Sequence, residues 1–169
     1  MDRAGRAIAQ WQKERPDLDV SPMAVLGRLG EAASMVSRDH LAPVFARFGL
    51  QHGEFDVLAT LRRAGSPFSL TPTALYEATM VTSGAMTNRL DRLEKAGLIR
   101  RVPHPTDRRG LLVQLTEEGR ELIDRAVEAH VENEHAILSG LEPEERQRLA
   151  ELLEKLIATA DVLIVNLPQ

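Results

Sequence analysis

Cationic side chains are concentrated in one short part of the chain, between Arg89 and Arg109. This stretch holds seven Lys or Arg residues against three Asp or Glu residues. Its net charge is +4, and because the whole chain carries −4, the remaining residues carry −8. A basic patch on an acidic body is typical of local binding to phosphate, since the acidic remainder disfavours non-specific contact. A solvated charged face would give the same count, so charge alone does not decide between the two.

The segment Ser83–Ala96 predicts an amphipathic helix that carries part of this charge. Met86, Leu90 and Leu93 recur at helical spacing and define one buried face. The opposite face bears short hydrogen-bonding groups, cations and a glycine that allows close approach, which suits insertion into a DNA major groove. Taken alone, the helix fits an ordinary surface helix equally well. Its candidate DNA-contacting residues are Ser83, Gly84, Thr87, Asn88 and Arg92.

The order of elements around this helix is more specific than the helix itself. Within Thr71–Thr116 a helix, a turn, the second helix and a β-hairpin follow one another, and the hairpin surrounds the turn-rich sequence His104–Asp107. Arg108 and Arg109 lie at the hairpin turn, from which long cationic side chains can reach a neighbouring minor groove. Helix and hairpin together predict a winged helix-turn-helix that binds double-stranded DNA.

Further helices are predicted on both sides of this unit. Ala4–Glu14 predicts a short helix, and Ser21–Phe48 a longer one that Pro43 kinks or interrupts. After Thr116 another long helix begins, and the last helix carries a broad apolar stripe over Leu149–Ile164. A stripe this broad on a terminal helix is typical either of a core or of a dimer interface.

Composition and motifs exclude several classes of protein. The chain contains no cysteine, which excludes disulfides, cysteine-based zinc sites and thiol redox sensing within it. Its five histidines have no metal-ligand spacing, and we expect them at surface positions. Glycine-rich phosphate loops and the common hydrolase motifs are missing from the sequence, so we expect no enzyme, no cofactor and no metal. Without an apolar run of roughly 18 residues or a signal-peptide stretch, the expectation is a cytoplasmic protein with no membrane partner.

Four residues are unusual if their role is purely structural. Asp56 is an acid within an apolar stretch of the helix predicted over Gly53–Ala64. Arg89 falls about 60° from the centre of the buried face of its helix, so it is expected to point inward rather than at DNA. Arg101 stands at the root of the hairpin, and Trp11 is the only tryptophan. The structural alternative is that Trp11 anchors an extra helix and that Asp56 and Arg89 form an ion pair.

The sequence resembles the MarR family over nearly its whole length. Ser83–Ile99 is similar to the recognition helix of that family, and Asp107–Gly110 followed by Leu115–Gly119 is similar to its wing signature. The resemblance implies a mainly α fold with a small β-wing, a winged helix-turn-helix dimerised through N- and C-terminal helices. It also implies an obligate homodimer that binds a pseudo-palindromic operator and is released by a small ligand. The implied parts are an extension and dimerisation helices at 1–49, the DNA-binding domain at 50–116 and C-terminal dimerisation helices at 117–169.

The N-terminal extension resembles the urate-responsive PecS/UrtR branch of the MarR family. In that branch a Trp on the added helix, an Asp before the helix-turn-helix and two Arg residues form an anion pocket, and the Asp and the first Arg form a switchable pair. Trp11, Asp56, Arg89 and Arg101 match those positions, so we expect Asp56 to pair with Arg89 in the free protein.

The resemblance also limits the chemistry of the effector. Two cations and an indole face suit a planar anion, and a carboxylate can accept from a ring N–H. The resemblance therefore implies a regulator, expected to be a repressor, that responds to urate, an aromatic carboxylic acid or an aconitate-like polycarboxylic acid. The alternative is a winged-helix protein-interaction module without a small-molecule ligand.

Overall fold

The computed structural model describes residues 1–79, 83–107 and 110–165, with the backbone alone for 83, 84, 164 and 165. It contains two compact units, one from Met1 to Asn133 and one from Glu134 onward. Its elements in chain order are α1 (Arg3–Glu14), α2 (Ser21–Met35), a π-helical segment (Val36–Leu41), α3 (Ala42–Ala46), α4 (His52–Arg63), β1 (Ser69–Leu70), α5 (Pro72–Thr79), α6 (Ser83–Lys95), β2 (Ile99–Pro103), β3 (Leu111–Leu115), α7 (Glu117–Ile137), a 3₁₀ turn (Leu138–Gly140) and α8 (Pro143–Val165).

The long helix predicted from Ser21 is divided by the π-helical segment. Val36–Leu41 form a wider turn between α2 and α3. Pro43, near the start of α3, has no backbone N–H, and its ring clashes with the carbonyl of Asp39 in an ordinary α-helix. The interruption that Pro43 predicts is therefore present, and it begins about two turns before the proline.

The predicted hairpin is present, and a third strand extends it. β2 and β3 pair antiparallel, with Arg101 opposite Val113. β1 pairs with the other edge of β3, with Ser69 opposite Gln114, so that the strand order is β1-β3-β2. The sequence did not predict β1, because two residues are too few to show an alternating pattern. The mainly helical fold with a small β-wing is confirmed.

The hydrophobic core of the first unit is formed where α4, α5, α6, α7 and the wing meet. The predicted face of α6 is buried in it, since Met86, Leu90 and Leu93 are each at most 3% exposed. This packing fixes the orientation of α6 relative to α4 and the wing, and with it the direction of every other side chain of α6. Fully buried partners in the same core are Val57, Leu58, Leu61, Leu75, Val113 and Ile123.

A tight joint connects the exit of α6 to the start of α7. Gly97 has a φ of 74°, the left-handed conformation in which many helices end. The hydroxyl of Thr116 donates to the carbonyl of Gly97 at 2.7 Å and accepts from the N–H of Gly119 at 3.0 Å, so Thr116 caps α7. A Cβ at Gly119 would overlap the carbonyl oxygen of Leu98, and only glycine permits this approach.

Large apolar side chains are exposed on helices near both ends of the chain. In α2, Val25 is 62% exposed and Leu26 is 57% exposed. In the second unit, Ile157, Val162 and Leu163 of α8 are each 60–61% exposed. Grouped exposure of this kind is typical of a surface that another molecule covers. None of the helices in the described ranges is long and apolar enough to cross a membrane.

Candidate functional site

The surface of α6 is divided as its sequence predicts. Thr87 and Asn88 are exposed on the side opposite the buried stripe, so both side chains are accessible to a large partner. Ser83 and Gly84 form the first turn of the helix, of which the backbone alone is described. Arg108 and Arg109, assigned to the hairpin tip, lie outside the described residues.

Arg92 is bound to the first turn of α4 as well as exposed to solvent. Its Nε lies 2.9 Å from Oε1 of Glu54, and its Nη2 donates to Oε1 of Gln51 at 2.9 Å. The other carboxylate oxygen of Glu54 accepts from the backbone N–H of Gln51 at 2.7 Å, as in a capping box. One carboxylate therefore caps α4 and holds α6 at the same time.

Arg89 points inward from α6, as the helical spacing predicts. Its guanidinium lies directly against Gly53 in the first turn of α4, where a Cβ on residue 53 would collide with the guanidinium carbon. The Nη1 atom of Arg89 is buried and has no hydrogen-bond partner among the described residues. A buried, unsatisfied cationic donor is costly in free energy, which makes this nitrogen a natural place for an added acceptor.

The predicted ion pair between Asp56 and Arg89 is wrong for this structure. The Oδ2 atom of Asp56 instead lies 3.6 Å from Nε2 of His52, four residues earlier on the same helix. The physical reason is that Gly53 leaves room for the guanidinium of Arg89 one helical turn before Asp56, while residues four apart face the same side of α4. Arg89 therefore contacts α4 one turn before Asp56, and the two residues form no salt bridge among the described residues.

Arg101 is held between two acids of α6. Its Nη2 donates to Oδ1 of Asp91 at 2.6 Å, and its Nη1 contacts Oε2 of Glu94. The backbone N–H of Arg101 also donates to Glu94 at 3.1 Å. The hydrogen bond to Asp91, with the charge of Glu94, raises the pKa of the Arg101 guanidinium above its ordinary value. Arg101 therefore ties the wing to α6 as a permanent cation.

Trp11 lies on α1 and is 45% exposed. A cavity of about 360 Å³ lies between α1 and α2, but Trp11, Asp56, Arg89 and Arg101 are not among its lining residues. The structure of the single chain thus places Arg89 against Gly53, one turn of α4 before Asp56, and puts Arg101 on the wing side of α6.

Two histidines are packed against aromatic rings rather than lying free on the surface. The rings of Phe45 and Phe55 stack with centroids 4.2 Å apart, and His130 lies 4.9 Å from Phe55. His52 approaches the edge of Phe45 at 5.3 Å. The expectation that every histidine is a surface residue is therefore wrong for His130, whose Nδ1 is buried. In the described part of the chain, no group of three potential ligands could hold a metal ion.

The sequence patterns did not reveal the acids and the glycine that contact Arg89, Arg92 and Arg101. Gln51 and Glu54 stand three residues apart before an apolar run, which is the spacing of a capping box and could have indicated the start of α4. Gly53 showed no such signal, because its importance depends on the arginine of another helix. The acids that hold Arg101 were visible only as charges on an exposed face.

Comparison with known proteins agrees with this arrangement. The model of the MarR family matches residues 48–110. The HTH-type transcriptional regulator PecS of Dickeya dadantii is 49% identical over 146 residues, which cover 86% of this chain and 87% of PecS. The multiple antibiotic resistance protein MarR of Escherichia coli is 31% identical over 133 residues, 78% of this chain and 90% of MarR.

Solved structures of DNA complexes have the same fold. Sco3205 of Streptomyces coelicolor, a MarR family regulator in complex with DNA, has a TM-score of 0.76 at 28% identity, covering 85% of this chain and 93% of that one. A mutant MarR of Escherichia coli complexed with operator DNA has a TM-score of 0.69 at 27% identity, covering 86% and 96%. With a PecS relative at 49% identity, the chain belongs to the MarR family and is a DNA-binding transcriptional regulator of the PecS-like branch.

Proposed function

We propose that the protein is a homodimeric repressor that binds a pseudo-palindromic operator and is released by a small planar or carboxylic anion such as urate. The anion site is proposed at the α4–α6 contact, with Arg89 as its principal cation, Asp56 on the adjacent turn, and Trp11 and Arg101 as the remaining parts. The observation that carries this proposal is the buried Nη1 of Arg89, a cationic donor that has no acceptor among the described residues.

The location of Arg89 links anion binding to DNA binding. Arg89 belongs to α6, on whose opposite side Thr87 and Asn88 are exposed. An anion that binds Arg89 occupies space at the α4–α6 contact and so changes how α6 rests on α4. Because the two recognition helices of a dimer must enter successive major grooves about 34–36 Å apart, a small tilt of each weakens both contacts together. The proposed DNA contacts are Ser83, Gly84, Thr87, Asn88, Arg108 and Arg109.

The dimer is proposed from the exposed apolar helices at both ends of the chain. Exposed side chains such as Val25 of α2 and Ile157 of α8 leave apolar surface that a second copy would cover. We expect sedimentation at micromolar concentration to give the mass of a dimer, and Ile157→Glu to shift it toward the monomer. A folded wild-type monomer under these conditions would contradict the dimer.

The anion response is tested on a duplex that the wild-type protein enriches from a random-sequence pool. We expect urate to release the protein from this duplex in a concentration-dependent manner, with salicylate and cis-aconitate as the aromatic and polycarboxylic comparisons. Uric acid riboside, in which the sugar blocks one ring nitrogen, is the matched control for recognition of the ring N–H. Retention of the complex with all three acids at millimolar concentration would reject an anionic effector of these classes.

A further inference from the structure

We propose that Glu54 is a positioning residue for DNA binding, because its carboxylate holds Arg92 and thereby sets the angle of α6 on α4. Arg92 then holds the recognition helix α6 in place and does not contact DNA. The sequence pattern had predicted a DNA contact because Arg92 lies on the outward face of the helix. This inference rests on the operator binding of the proposed function and names the residues that prepare α6 for it.

The side chain of Glu54 is more buried than that of Arg92. The side chain of Glu54 is 8% exposed, and that of Arg92 is 50% exposed. Both oxygens of Glu54 are used, one by Nε of Arg92 and one by the backbone N–H of Gln51. Burial of a carboxylate is unfavourable unless a cation and hydrogen bonds compensate it, so Arg92 cannot leave Glu54 without a large cost.

The contacts of Arg92 also restrict the angle between α6 and α4. Arg92 contacts Glu54 through Nε and Gln51 through Nη2, so that a planar guanidinium is held at two points on one turn of α4. Two-point binding of a rigid plane restricts rotation as well as distance. Arg89 lies one turn away on the same side of α6, but its Nη1 has no acceptor in the described part of the chain, so it does not provide this restraint. Among the described residues, Arg92 is therefore the arginine that links α6 to α4 through an ion pair.

The direction in which Glu54→Gln changes operator affinity distinguishes a positioning role from a simple effect of charge. Glu54→Gln removes a negative charge from the DNA-binding unit, which by itself strengthens attraction to phosphate. The glutamine oxygen still accepts from the Gln51 N–H, so the cap of α4 is retained. If Glu54 positions α6, the variant binds the operator about tenfold more weakly despite the favourable change in charge.

The experiment measures operator affinity over a range of salt concentrations for Glu54→Gln, Arg92→Met and the double variant, with dimer mass and thermal unfolding recorded for each. Glu77→Gln is the matched control, since Glu77 is an exposed carboxylate of α5 in the same helix-turn-helix. The probe is the duplex enriched by the wild-type protein. We expect each single variant to lose about tenfold in affinity with an unchanged log–log salt slope, and the double variant to lose no more than twofold beyond the weaker single variant.

Other results overturn the inference in distinguishable ways. Operator binding by Glu54→Gln as tight as that of Glu77→Gln would reject a positioning role. A salt slope flatter by about 0.9 for Arg92→Met would show that Arg92 contacts a phosphate. If Glu54→Gln does not fold, Arg92→Met still decides the matter, since an unchanged operator affinity or a flatter salt slope in that variant would reject the positioning role. Failure of the wild-type protein to enrich any duplex would reject the proposed operator binding itself.

Discussion

The two sides of α6 hold opposite excesses of charge. On the side of α4, the guanidinium of Arg92 meets the carboxylate of Glu54, and that of Arg89 lies against Gly53 with no salt bridge among the described residues. On the side of the wing, two carboxylates, those of Asp91 and Glu94, meet the single guanidinium of Arg101. The α4 side therefore has one guanidinium without a carboxylate partner in the described part of the chain, and the wing side has one carboxylate more than it has guanidinium groups.

This difference indicates which side of α6 can bind an anion at the lower cost in free energy. Arg89 has a buried nitrogen without an acceptor, so an anion there adds a hydrogen bond without breaking one. Arg101 already has two acidic partners and must leave them before it can reach a ligand. Arg89 is accordingly the principal cation of the proposed site, and Arg101 contributes to the extent that α6 and the wing separate.

The largest effect on operator affinity in this comparison is expected from removal of the cation on the wing side. Arg101→Met leaves Asp91 and Glu94 uncompensated beside the proposed DNA surface, where their charges repel phosphate. We expect about a tenfold loss of operator affinity at low salt, and a decrease of about 1 kcal/mol in the free energy of unfolding because these side chains are partly exposed. Gel-shift titration and chemical denaturation measure the two quantities.

A compensating variant provides the control for this experiment. Asp91→Asn with Glu94→Gln, added to Arg101→Met, removes both uncompensated acids and is expected to recover operator affinity to within about threefold of wild type. Operator binding by Arg101→Met equal to that of the wild-type protein would show that the charge excess on the wing side does not affect DNA.

An intermediate effect is expected from the glycine on the α4 side. In Gly53→Ala the added Cβ displaces the guanidinium of Arg89, which is the flexible end of a long side chain. We expect urate affinity to fall about fivefold, a loss within the range of one hydrogen bond to a charged group. Gly30→Ala is the matched control, since a Cβ on this helical glycine meets no atom within 4 Å. An unchanged urate affinity in Gly53→Ala, measured by calorimetry, would remove Gly53 from the site.

The smallest effect is expected at Trp11, which is half-exposed on α1. Trp11→Phe retains an aromatic face and loses area and the indole N–H, so we expect urate affinity to fall about threefold. Because Trp11 is the only tryptophan, its fluorescence in the wild-type protein reports the approach of a ligand directly. Free tryptophan at equal absorbance corrects for light absorbed by urate. Quenching no greater than that of free tryptophan would place Trp11 outside the site.

Much of the fold could be predicted from the sequence because it depends on local periodicity. The buried stripe of Met86, Leu90 and Leu93, the left-handed Gly97 and the Thr116 cap each follow from spacing or from the chemistry of one residue. The inward direction of Arg89 followed from the same helical geometry. Positions along one helix are related by a fixed rotation, so such predictions need no knowledge of the partner helix.

The partners of the charged residues could not be predicted in the same way. Asp56 was assigned to Arg89, but His52 lies four residues away on its own helix, and Gly53 directs the guanidinium elsewhere. Glu54 was overlooked because a buried acid looks like any surface acid until its cation, 38 positions away, is in place. Long-range ion pairs depend on how helices pack, which charge patterns along the chain do not encode.

The proposed anion site depends most on Arg89, and its most direct test is the binding of urate to an Arg89 variant. Arg89→Met keeps most of the length and apolar contact of the side chain and removes the guanidinium. Isothermal calorimetry of the DNA-free dimer should show urate affinity ten- to a hundredfold lower than in the wild-type protein, the loss expected for hydrogen bonds to a charged group. Operator affinity should stay within about threefold of wild type. Urate binding by Arg89→Met as tight as that of the wild-type protein would contradict the account.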